Sequence, residues 1–225
     1  MYSLSWLLLL PCLLLGCSRA DDTPRPRGAT TPTVVTKEAS MANPTTQPKL
    51  AELVVAGGCF WCVEAVFEEL KGVKEAVSGY AGGTKETANY EAVCTGLTGH
   101  AEAVKIVYDP SIITPEQILK VHFATHDPTT LNRQGNDTGP QYRSVIFYAT
   151  PQEKELAQAF LADLTEAKVY KAPIVTTLEP LTAFYPAESY HQDYVSCNPY
   201  QGYVRAVALP KVDKVRAKFK DMLKP

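Results

Sequence analysis

Two cysteines separated by two residues, Cys59 and Cys62, are the side chains best suited to chemistry in this sequence. They follow Gly57-Gly58, at the junction between a strand-like apolar segment and the start of a helical pattern. At that junction the helix dipole and the unpaired backbone N–H groups favour thiolate over thiol, so we expect a lowered thiol pKa there. Sulfurs three residues apart on a first helical turn can also meet and close a disulfide. The spacing therefore predicts a redox-active pair.

Zinc binding is the alternative use of a Cys-x-x-Cys spacing. A structural zinc site needs further ligands at similar spacing, and the sequence contains no second Cys-x-x-Cys pair. His122 and His126, four apart on a predicted helix, could bind a metal geometrically, but nothing else converges with them. We therefore expect no metal site.

The composition is that of an ordinary globular protein. Its 225 residues include 22 Lys and Arg against 24 Asp and Glu, for a net charge of -2, and 45% are hydrophobic. A nucleic-acid-binding protein would show a basic excess, so we expect no nucleic-acid partner. A wholly disordered or collagen-like chain is excluded, and six cysteines are too few for a disulfide scaffold.

Residues 1–16 have the pattern of a secretory signal peptide. An apolar run from Leu4 to Leu15 is shorter than the ~20 residues that a membrane-spanning helix needs. The run ends in Leu14-Leu15-Gly16-Cys17, which resembles the lipobox of bacterial lipoproteins. That resemblance implies cleavage before Cys17, acylation of Cys17 and loss of Cys12 with the signal. A signal cleaved without lipidation, or an uncleaved anchor, is the alternative.

Residues 17–49 are rich in proline and threonine and contain no aromatic residue. Such a segment cannot bury enough apolar surface to offset its ordering entropy, so we interpret it as a lipid-anchored, flexible linker. Residues 50–225 are predicted to form the folded domain. Together these segments predict a membrane-anchored lipoprotein outside the cytoplasm, periplasmic or at the cell surface, or a secreted protein if Cys17 is not acylated.

Hydrophobic periodicity and capping signals divide the domain into strands and helices. Strands are predicted at Leu53–Ala56, Val73–Tyr80, Ala103–Tyr108, Ser144–Ala149 and Val175–Leu178. Helices are predicted from Cys59–Cys62 to Gly72, from Thr114 to His126, from Thr150 to Lys168, near Glu188–Ser196 and from Lys211 to Leu223. Strands and helices mix without strict βαβ alternation, which favours an α+β fold. We expect a two-layer α/β sandwich, a ferredoxin-like core of a mixed sheet with flanking helices.

The segment Gly58-Cys59-Phe60-Trp61-Cys62 resembles the signature of the A-type methionine sulfoxide reductases, the peptide-methionine (S)-S-oxide reductases. Six further stretches match that family in order and carry the resemblance over about Leu53 to Gly202: Ser78-Gly79-Tyr80, Asn89-Tyr90-Glu91, Thr98-Gly99-His100-Ala101-Glu102, Gly135-Asn136-Asp137-Thr138-Gly139, Gln141-Tyr142-Arg143-Ser144 and Ala187-Glu188-Ser189-Tyr190-His191-Gln192. Each stretch is weak alone, but their number and order make a close match.

The resemblance implies an oxidoreductase that reduces the S-epimer of methionine sulfoxide, free and in proteins, and so repairs oxidised proteins. It implies the following roles: Cys59 is the nucleophile, Phe60 and Trp61 wall the pocket for the substrate methyl group, Glu102 is a protonated donor to the sulfoxide oxygen, Tyr90 and Tyr142 add hydroxyl donors, and Asp137 positions the site. A carboxyl kept protonated by an apolar setting suits the donor role, because burial raises its pKa.

The implied reaction makes Cys59 a sulfenic acid, which a second thiol converts into a disulfide. No bound cofactor is implied, only an external dithiol such as thioredoxin, or a membrane-linked thioredoxin-like protein outside the cytoplasm. Many relatives have Gly at position 62 and a resolving Cys after a Gly-Tyr in the tail, where this chain has Gly202-Tyr203-Val204. We therefore expect Cys62 to be the resolving thiol, with Cys197 as the alternative, and Cys94 to be a small core residue.

Two other classes of function remain open from the sequence. The Cys59–Cys62 pair after a strand would also suit a thioredoxin-like thiol–disulfide oxidoreductase, although the order of elements is not thioredoxin-like. The cysteines could instead be structural in a lipoprotein or binding module without catalytic activity.

Overall fold

The computed structural model describes residues 49–225. The predictions for residues 1–48, which include the signal peptide, Cys17 and nearly all of the linker, lie outside the described residues. No helix within residues 49–225 is long and apolar enough to cross a membrane.

A six-stranded mixed sheet is the centre of the fold. The strands of the described chain are β1 (Ala51–Ala56), β2 (Val73–Ala81), β3 (Ala101–Tyr108), β4 (Arg133–Gln134), β5 (Asp137–Thr138), β6 (Val145–Tyr148), β7 (Thr177–Pro180) and β8 (Phe184–Pro186). The large sheet has the order β7-β6-β1-β3-β2-β8, and β4 pairs with β5 separately. Every pairing in the large sheet is antiparallel except that of β6 with β7.

Six α-helices accompany the strands in residues 49–225. They are α1 (Phe60–Glu68), α2 (Tyr90–Cys94), α3 (Pro115–Thr125), α4 (Pro151–Glu166), α5 (Tyr194–Cys197) and α6 (Leu209–Lys218). A π-helical turn, Val204–Ala208, leads directly into α6. The α+β class and the mixed sheet with flanking helices, both expected from the sequence, are confirmed.

The central strand β1 is apolar on both faces, because both faces of the sheet are covered there. Val55 belongs to the larger core, together with residues of α1, α3 and α6 such as Phe67, Leu119 and Val215. The side chain of the preceding residue, Val54, points to the opposite face of the sheet and belongs to a smaller core there. The larger core supports α1, the helix that follows the two glycines.

Local sequence signals account for two helix starts. At α3, Thr114 Oγ1 accepts from the Gln117 N–H at 3.3 Å and the Gln117 side chain accepts from the Thr114 N–H at 2.9 Å, which is a complete capping box. At α4, Thr150 caps the Glu153 N–H at 3.2 Å, but the Glu153 carboxylate accepts from Ala149 instead of Thr150. The second predicted box is therefore only half formed.

Several boundaries differ from the sequence prediction. Helix α1 ends at Glu68 instead of Gly72, since Leu70 forms a bridge with Leu223 and Gly72 turns the chain at φ +83°. The terminal helix α6 begins earlier than expected and ends at Lys218. The short helix α2 and the strand β8 were not predicted, because tertiary pairing and an Asn89 cap stabilise segments too short to show a period.

Candidate active site

Cys59 lies at the N-cap of α1, one residue before the helix proper. The chain reaches it from β1 through Gly57 and Gly58, and Gly58 has φ +94°. A side chain at Gly57 would lie 2.8 Å from His122, and one at Gly58 would lie 2.5 Å from Gln134, so the turn requires both glycines. This tight turn delivers Cys59 from the central strand to the start of the helix.

Cys62 occupies the first turn of α1, and its N–H donates to the Cys59 carbonyl at 3.1 Å. Both thiols are buried: Cys59 is 7% exposed and Cys62 is 0% exposed. The two thiols influence each other: Cys59 lowers the pKa of Cys62, and Cys62 contributes to the raised pKa of Cys59. Their ionisation is therefore linked in the dithiol state.

A cavity of about 220 Å³ opens over Cys59. Two residues that the sequence did not indicate, Gln201 and Tyr203, line it. The rest of the lining consists of all the predicted site residues of the domain except Cys62: Cys59, Phe60, Trp61, Tyr90, Glu102, Asp137 and Tyr142. Cys62 lies behind Cys59 in the helix, and Cys17 lies outside the described residues. The fold thus gathers side chains from β3, β5, α1, α2 and the tail around one thiol.

Glu102 is a buried carboxyl at the start of β3, only 2% exposed. Its Oε2 accepts a hydrogen bond from the Phe60 backbone N–H at 3.0 Å, next to Cys59 in the chain. Burial raises the pKa of Glu102 to about 8, against the opposing effect of the Phe60 hydrogen bond. At neutral pH the carboxyl is therefore mainly protonated and able to donate.

Two tyrosines supply hydroxyl groups to the same cavity. Tyr90 begins α2 and Tyr142 ends a short 3-10 turn, and burial raises the pKa of both phenols above the usual range. The Tyr90 backbone N–H donates to the Glu188 carboxylate at 3.0 Å, which ties the start of α2 to the segment that follows β8. Both phenols remain neutral donors at any pH at which the protein functions.

An aromatic wall forms another side of the cavity. Phe60 is 1% exposed, and the Trp61 ring stacks on Tyr194 with centroids 3.7 Å apart and planes within 8°. The indole Nε1–H of Trp61 donates to His191 Nδ1 at 3.0 Å. His191 is thus an acceptor at Nδ1, and burial lowers its pKa, so the imidazole is neutral. The Trp61 ring in this wall is therefore held by the stacking contact with Tyr194 and by the hydrogen bond to His191.

Asp137 and Tyr203 form a hydrogen-bonded pair in the same site. The Tyr203 hydroxyl donates to Asp137 Oδ2 at 2.6 Å and accepts from the Cys62 thiol at 3.9 Å. The Tyr203 ring meets Trp61 edge-on, with centroids 6.0 Å apart. Tyr203 was not among the predicted site residues, although it belongs to the Gly-Tyr dipeptide that the A-type resemblance places just before a resolving cysteine. That dipeptide was the available signal.

The expected lowering of the Cys59 pKa is wrong for the substrate-free protein. Burial raises the pKa of the Cys59 thiol well above its usual value, and hydrogen bonding to Cys62 and the nearby Glu102 act in the same direction. The hydrogen bond from Cys59 lowers the pKa of Cys62 to about 7. Desolvation of a nearly inaccessible thiol outweighs the helix N-terminus, because the dipole is worth only about 1 kcal/mol.

The other two cysteines of the domain are exposed free thiols. The expectation that Cys94 is a core residue is wrong: it ends α2 on the surface, where its thiol contacts the Tyr90 hydroxyl. Cys197 ends α5. Neither lines the cavity over Cys59.

Within residues 49–225, no three His, Cys, Asp or Glu side chains are placed to hold a metal ion. His122 of α3 and His126, the residue that follows this helix, are both buried. His126 Nδ1 donates to the His122 carbonyl at 2.8 Å, and its Nε2 pairs with Ser144 Oγ at 2.8 Å. These rings pack beneath Gly57 and support the turn before Cys59.

A buried thiol at a helix start, a protonated carboxyl and two phenols around one small cavity define a thiol-dependent oxidoreductase. Residues 51–223 match the model of the family described as peptide methionine sulfoxide reductase. The chain therefore belongs to this family, and it catalyses thiol-dependent reduction of methionine sulfoxide.

Individual relatives agree with the family match. The chain is 54% identical over 179 residues to peptide methionine sulfoxide reductase MsrA 1 of Rhodopirellula baltica, covering 80% of this chain and 92% of that relative. It is 48% identical over 178 residues to the MsrA of Polynucleobacter asymbioticus, covering 79% and 94%. The methionine sulfoxide reductase A of Corynebacterium diphtheriae superposes with a TM-score of 0.60 at 36% identity, covering 69% of this chain and 78% of that one.

Proposed function

We propose that the enzyme reduces the S-epimer of methionine sulfoxide, free and in proteins, through a Cys59 sulfenic acid and a Cys59–Cys62 disulfide. The observation that carries the proposal is that Cys59, the neutral Glu102 carboxyl and the two phenols of Tyr90 and Tyr142 line the same cavity. A thiol attacks a sulfoxide sulfur only if the oxygen is protonated or strongly hydrogen-bonded, and this arrangement supplies both the thiol and the donors.

Preference for one epimer is consistent with the mixed apolar and hydrogen-bonding lining of the cavity. Phe60 and Trp61 give the cavity an apolar surface for the S-methyl group, and Glu102, Tyr90 and Tyr142 give it donors for the oxygen. A sulfoxide sulfur is a stereocentre, so only one epimer can place its methyl on the wall and its oxygen on the donors while facing Cys59. This asymmetry supports the S-specificity that the A-type resemblance implies.

The first step transfers oxygen from the substrate to Cys59. The sulfur of Cys59 bonds to the sulfoxide sulfur while Glu102 protonates the oxygen, and the thiol proton of Cys59 restores the Glu102 carboxyl. The S–O bond of the substrate then breaks as oxygen passes to Cys59, giving methionine and Cys59 sulfenic acid with no net change in protons. Tyr90 and Tyr142 stabilise the charge that develops on the oxygen.

The second step closes a disulfide between Cys59 and Cys62, with loss of water. The position of Cys62 one helical turn from Cys59, with both thiols buried, supports this role over the alternative Cys197, which is exposed. An external dithiol, thioredoxin or a thioredoxin-like protein, then reduces the disulfide by exchange. No bound cofactor takes part in this scheme.

The location of the enzyme follows from residues 1–49. Residues 1–16 act as a signal peptide, Cys17 becomes the acylated N-terminus, and residues 17–49 link the lipid to the domain at a membrane surface outside the cytoplasm. The intact mass of the mature protein tests this directly. A mass that corresponds to a chain beginning at Cys17 with added acyl groups is expected, whereas retention of residues 1–16 or an unmodified Cys17 would contradict it.

Single-turnover chemistry tests the function. Cys62→Ser without external reductant should yield one methionine per enzyme from the S-epimer and none from the R-epimer, since Cys59 still accepts one oxygen. Cys59→Ser should yield none, with its fold checked by circular dichroism, and Cys94→Ser is the matched control that should keep full turnover. A thiol–disulfide exchanger would exchange disulfides but release no methionine from any of these variants.

A further inference from the structure

A continuous chain of hydrogen bonds leads from the resolving thiol to a carboxylate. The Cys62 thiol donates to Tyr203 Oη at 3.9 Å, and the Tyr203 hydroxyl donates to Asp137 Oδ2 at 2.6 Å. The three residues come from α1, the tail segment before the π-helical turn and β5, so only the tertiary fold brings them together. The chain starts at the one thiol whose deprotonation the second step requires.

Cys62 has no direct route for its proton to water, because it is 0% exposed. Glu102 cannot serve as its acceptor, since in the first step that carboxyl is a donor and ends protonated. Disulfide formation nevertheless requires Cys62 to lose a proton while the hydroxyl of the sulfenic acid gains one. The buried thiol therefore needs a second acid–base group on its own side.

We propose that Tyr203 and Asp137 form a proton relay that deprotonates Cys62 during disulfide formation. The proposal rests on the function proposed above, in which Cys62 is the resolving thiol. Tyr203 touches the reacting thiol and is a catalytic residue, while Asp137 acts through Tyr203. A phenol suits the middle of such a relay, since its oxygen accepts one proton while its own proton leaves.

The relay moves the Cys62 proton to solvent through Tyr203 and Asp137. The Cys62 sulfur bonds to the Cys59 sulfur, and the S–O bond of the sulfenic acid breaks. The Cys62 proton passes to Tyr203 Oη as the Tyr203 proton passes to Asp137. The departing hydroxide takes the proton of Glu102 and leaves as water. Asp137 then releases its proton to solvent and Glu102 regains one, so one thiol and one sulfenic acid become a disulfide and water.

The burial of Tyr203 and one ring contact suit it to this role. Burial raises the pKa of its phenol, so Tyr203 passes a proton in a concerted exchange and does not accumulate as a tyrosinate. The edge-on contact with Trp61 fixes the ring that carries the hydroxyl. A phenylalanine at position 203 would keep that ring contact and remove the hydroxyl, which lies near both thiols, so the two chemical steps must be measured separately.

The test separates the two chemical steps in a Cys94→Ser, Cys197→Ser background. After rapid mixing with the S-epimer, methionine release reports the first step, and mass spectrometry reports sulfenic acid, trapped with a cyclic 1,3-diketone, and disulfide. We expect Tyr203→Phe to slow disulfide formation at least tenfold more than methionine release, within the range of general acid–base effects, so that sulfenic acid accumulates. Tyr200→Phe, an exposed tyrosine of the same segment, is the matched control.

The pH profile distinguishes a relay from a structural role. In Tyr203→Phe the disulfide-forming rate should rise with pH, since Cys62 must then ionise without help, and it should be flatter in the unsubstituted enzyme. Asp137→Asn should reproduce this profile when one equivalent of hydrogen peroxide, in place of substrate, forms the sulfenic acid. Equal slowing of both steps, or an unchanged disulfide step, overturns the relay. If the enzyme with Tyr203 intact forms no Cys59–Cys62 disulfide, the proposed function itself fails.

Discussion

The backbone N–H of Phe60 donates to Glu102 Oε2 at 3.0 Å, so the residue after the nucleophile directly holds the acid. The bond links the start of α1 to the start of β3, 42 residues along the chain. This hydrogen bond orients the buried Glu102 carboxyl. The thiol and the proton donor are therefore placed by one local contact, and a change in either element affects both.

Replacing Glu102 with Gln should slow methionine release in a single turnover by about 100-fold or more, because the amide cannot donate an acidic proton. The amide keeps the size of the side chain, so substrate binding should change far less. The pre-steady-state rate and the substrate concentration at half saturation check the two effects separately. Unchanged turnover at neutral pH would remove Glu102 from the donor role.

The single-turnover rate should fall as pH rises through about 8. Burial raises the pKa of Glu102 to about 8 and raises that of Cys59, so below that pH both groups hold their protons. Above it the donor is lost. Because the two groups interact, the apparent pKa belongs to the pair and not to either residue. In Glu102→Gln this fall near pH 8 should disappear, and its persistence would contradict the assignment.

Replacing Tyr194 with Ala should loosen Trp61, whose ring stacks on it at 3.7 Å. A stacked pair contributes roughly 0.5–1.5 kcal/mol beyond its buried area, so we expect KM to rise several-fold with a smaller change in kcat. Steady-state kinetics with the S-epimer measures the split. Tyr200→Ala, which removes a tyrosine that is 89% exposed, is the control. An unaltered KM would show that the stack does not shape the pocket.

The buried histidines should make the protein less stable in acid. Burial lowers the pKa of His126 from 6.5 to about 4, and that of His122 well below its usual value. Between pH 6.5 and 4 the unfolded chain binds more protons than the folded one, so this contribution to stability is present above pH 6.5 and lost as pH falls. For His126 it amounts to about 3 kcal/mol.

Urea unfolding across pH 4–7 measures this effect. Glu64 and Glu102, whose pKa values burial raises to about 7 and about 8, act in the opposite direction over part of the same range. The informative quantity is therefore the difference between the unsubstituted protein and His126→Gln, which should shrink as the pH falls. A difference that is constant with pH would mean that His126 does not stay neutral in the fold.

Replacing Gly58 with Ala should destabilise the protein by about 1–3 kcal/mol and lower kcat/KM more than tenfold. Its φ is +94°, and the new Cβ would lie 2.5 Å from Gln134 Cγ, so the turn must move and carry Cys59 with it. Gly202→Ala is the matched control, since a Cβ there meets nothing within 4 Å. Equal stability and activity of the two variants would exclude a special role for the turn.

The sequence by itself determined the features that depend on neighbours in the chain. The Cys59–Cys62 spacing, the two glycines before it, the capping box at Thr114 and the α+β class all follow from local pattern. The family resemblance also selected Glu102, Tyr90, Tyr142 and Asp137, which the fold then gathers around one cavity. Such features are readable because turn geometry, capping and periodicity act over a few residues.

Only the tertiary structure decided which groups face each other and in what charge state. Tyr203 meets Asp137 and Cys62 through packing between distant segments, and no local pattern places its hydroxyl there. The sequence placed a lowered pKa on Cys59, whereas burial raises it, and it placed Cys94 in the core, whereas Cys94 is exposed. Desolvation and exposure depend on everything packed around a group, so they are properties of the whole fold and not of the residues beside it.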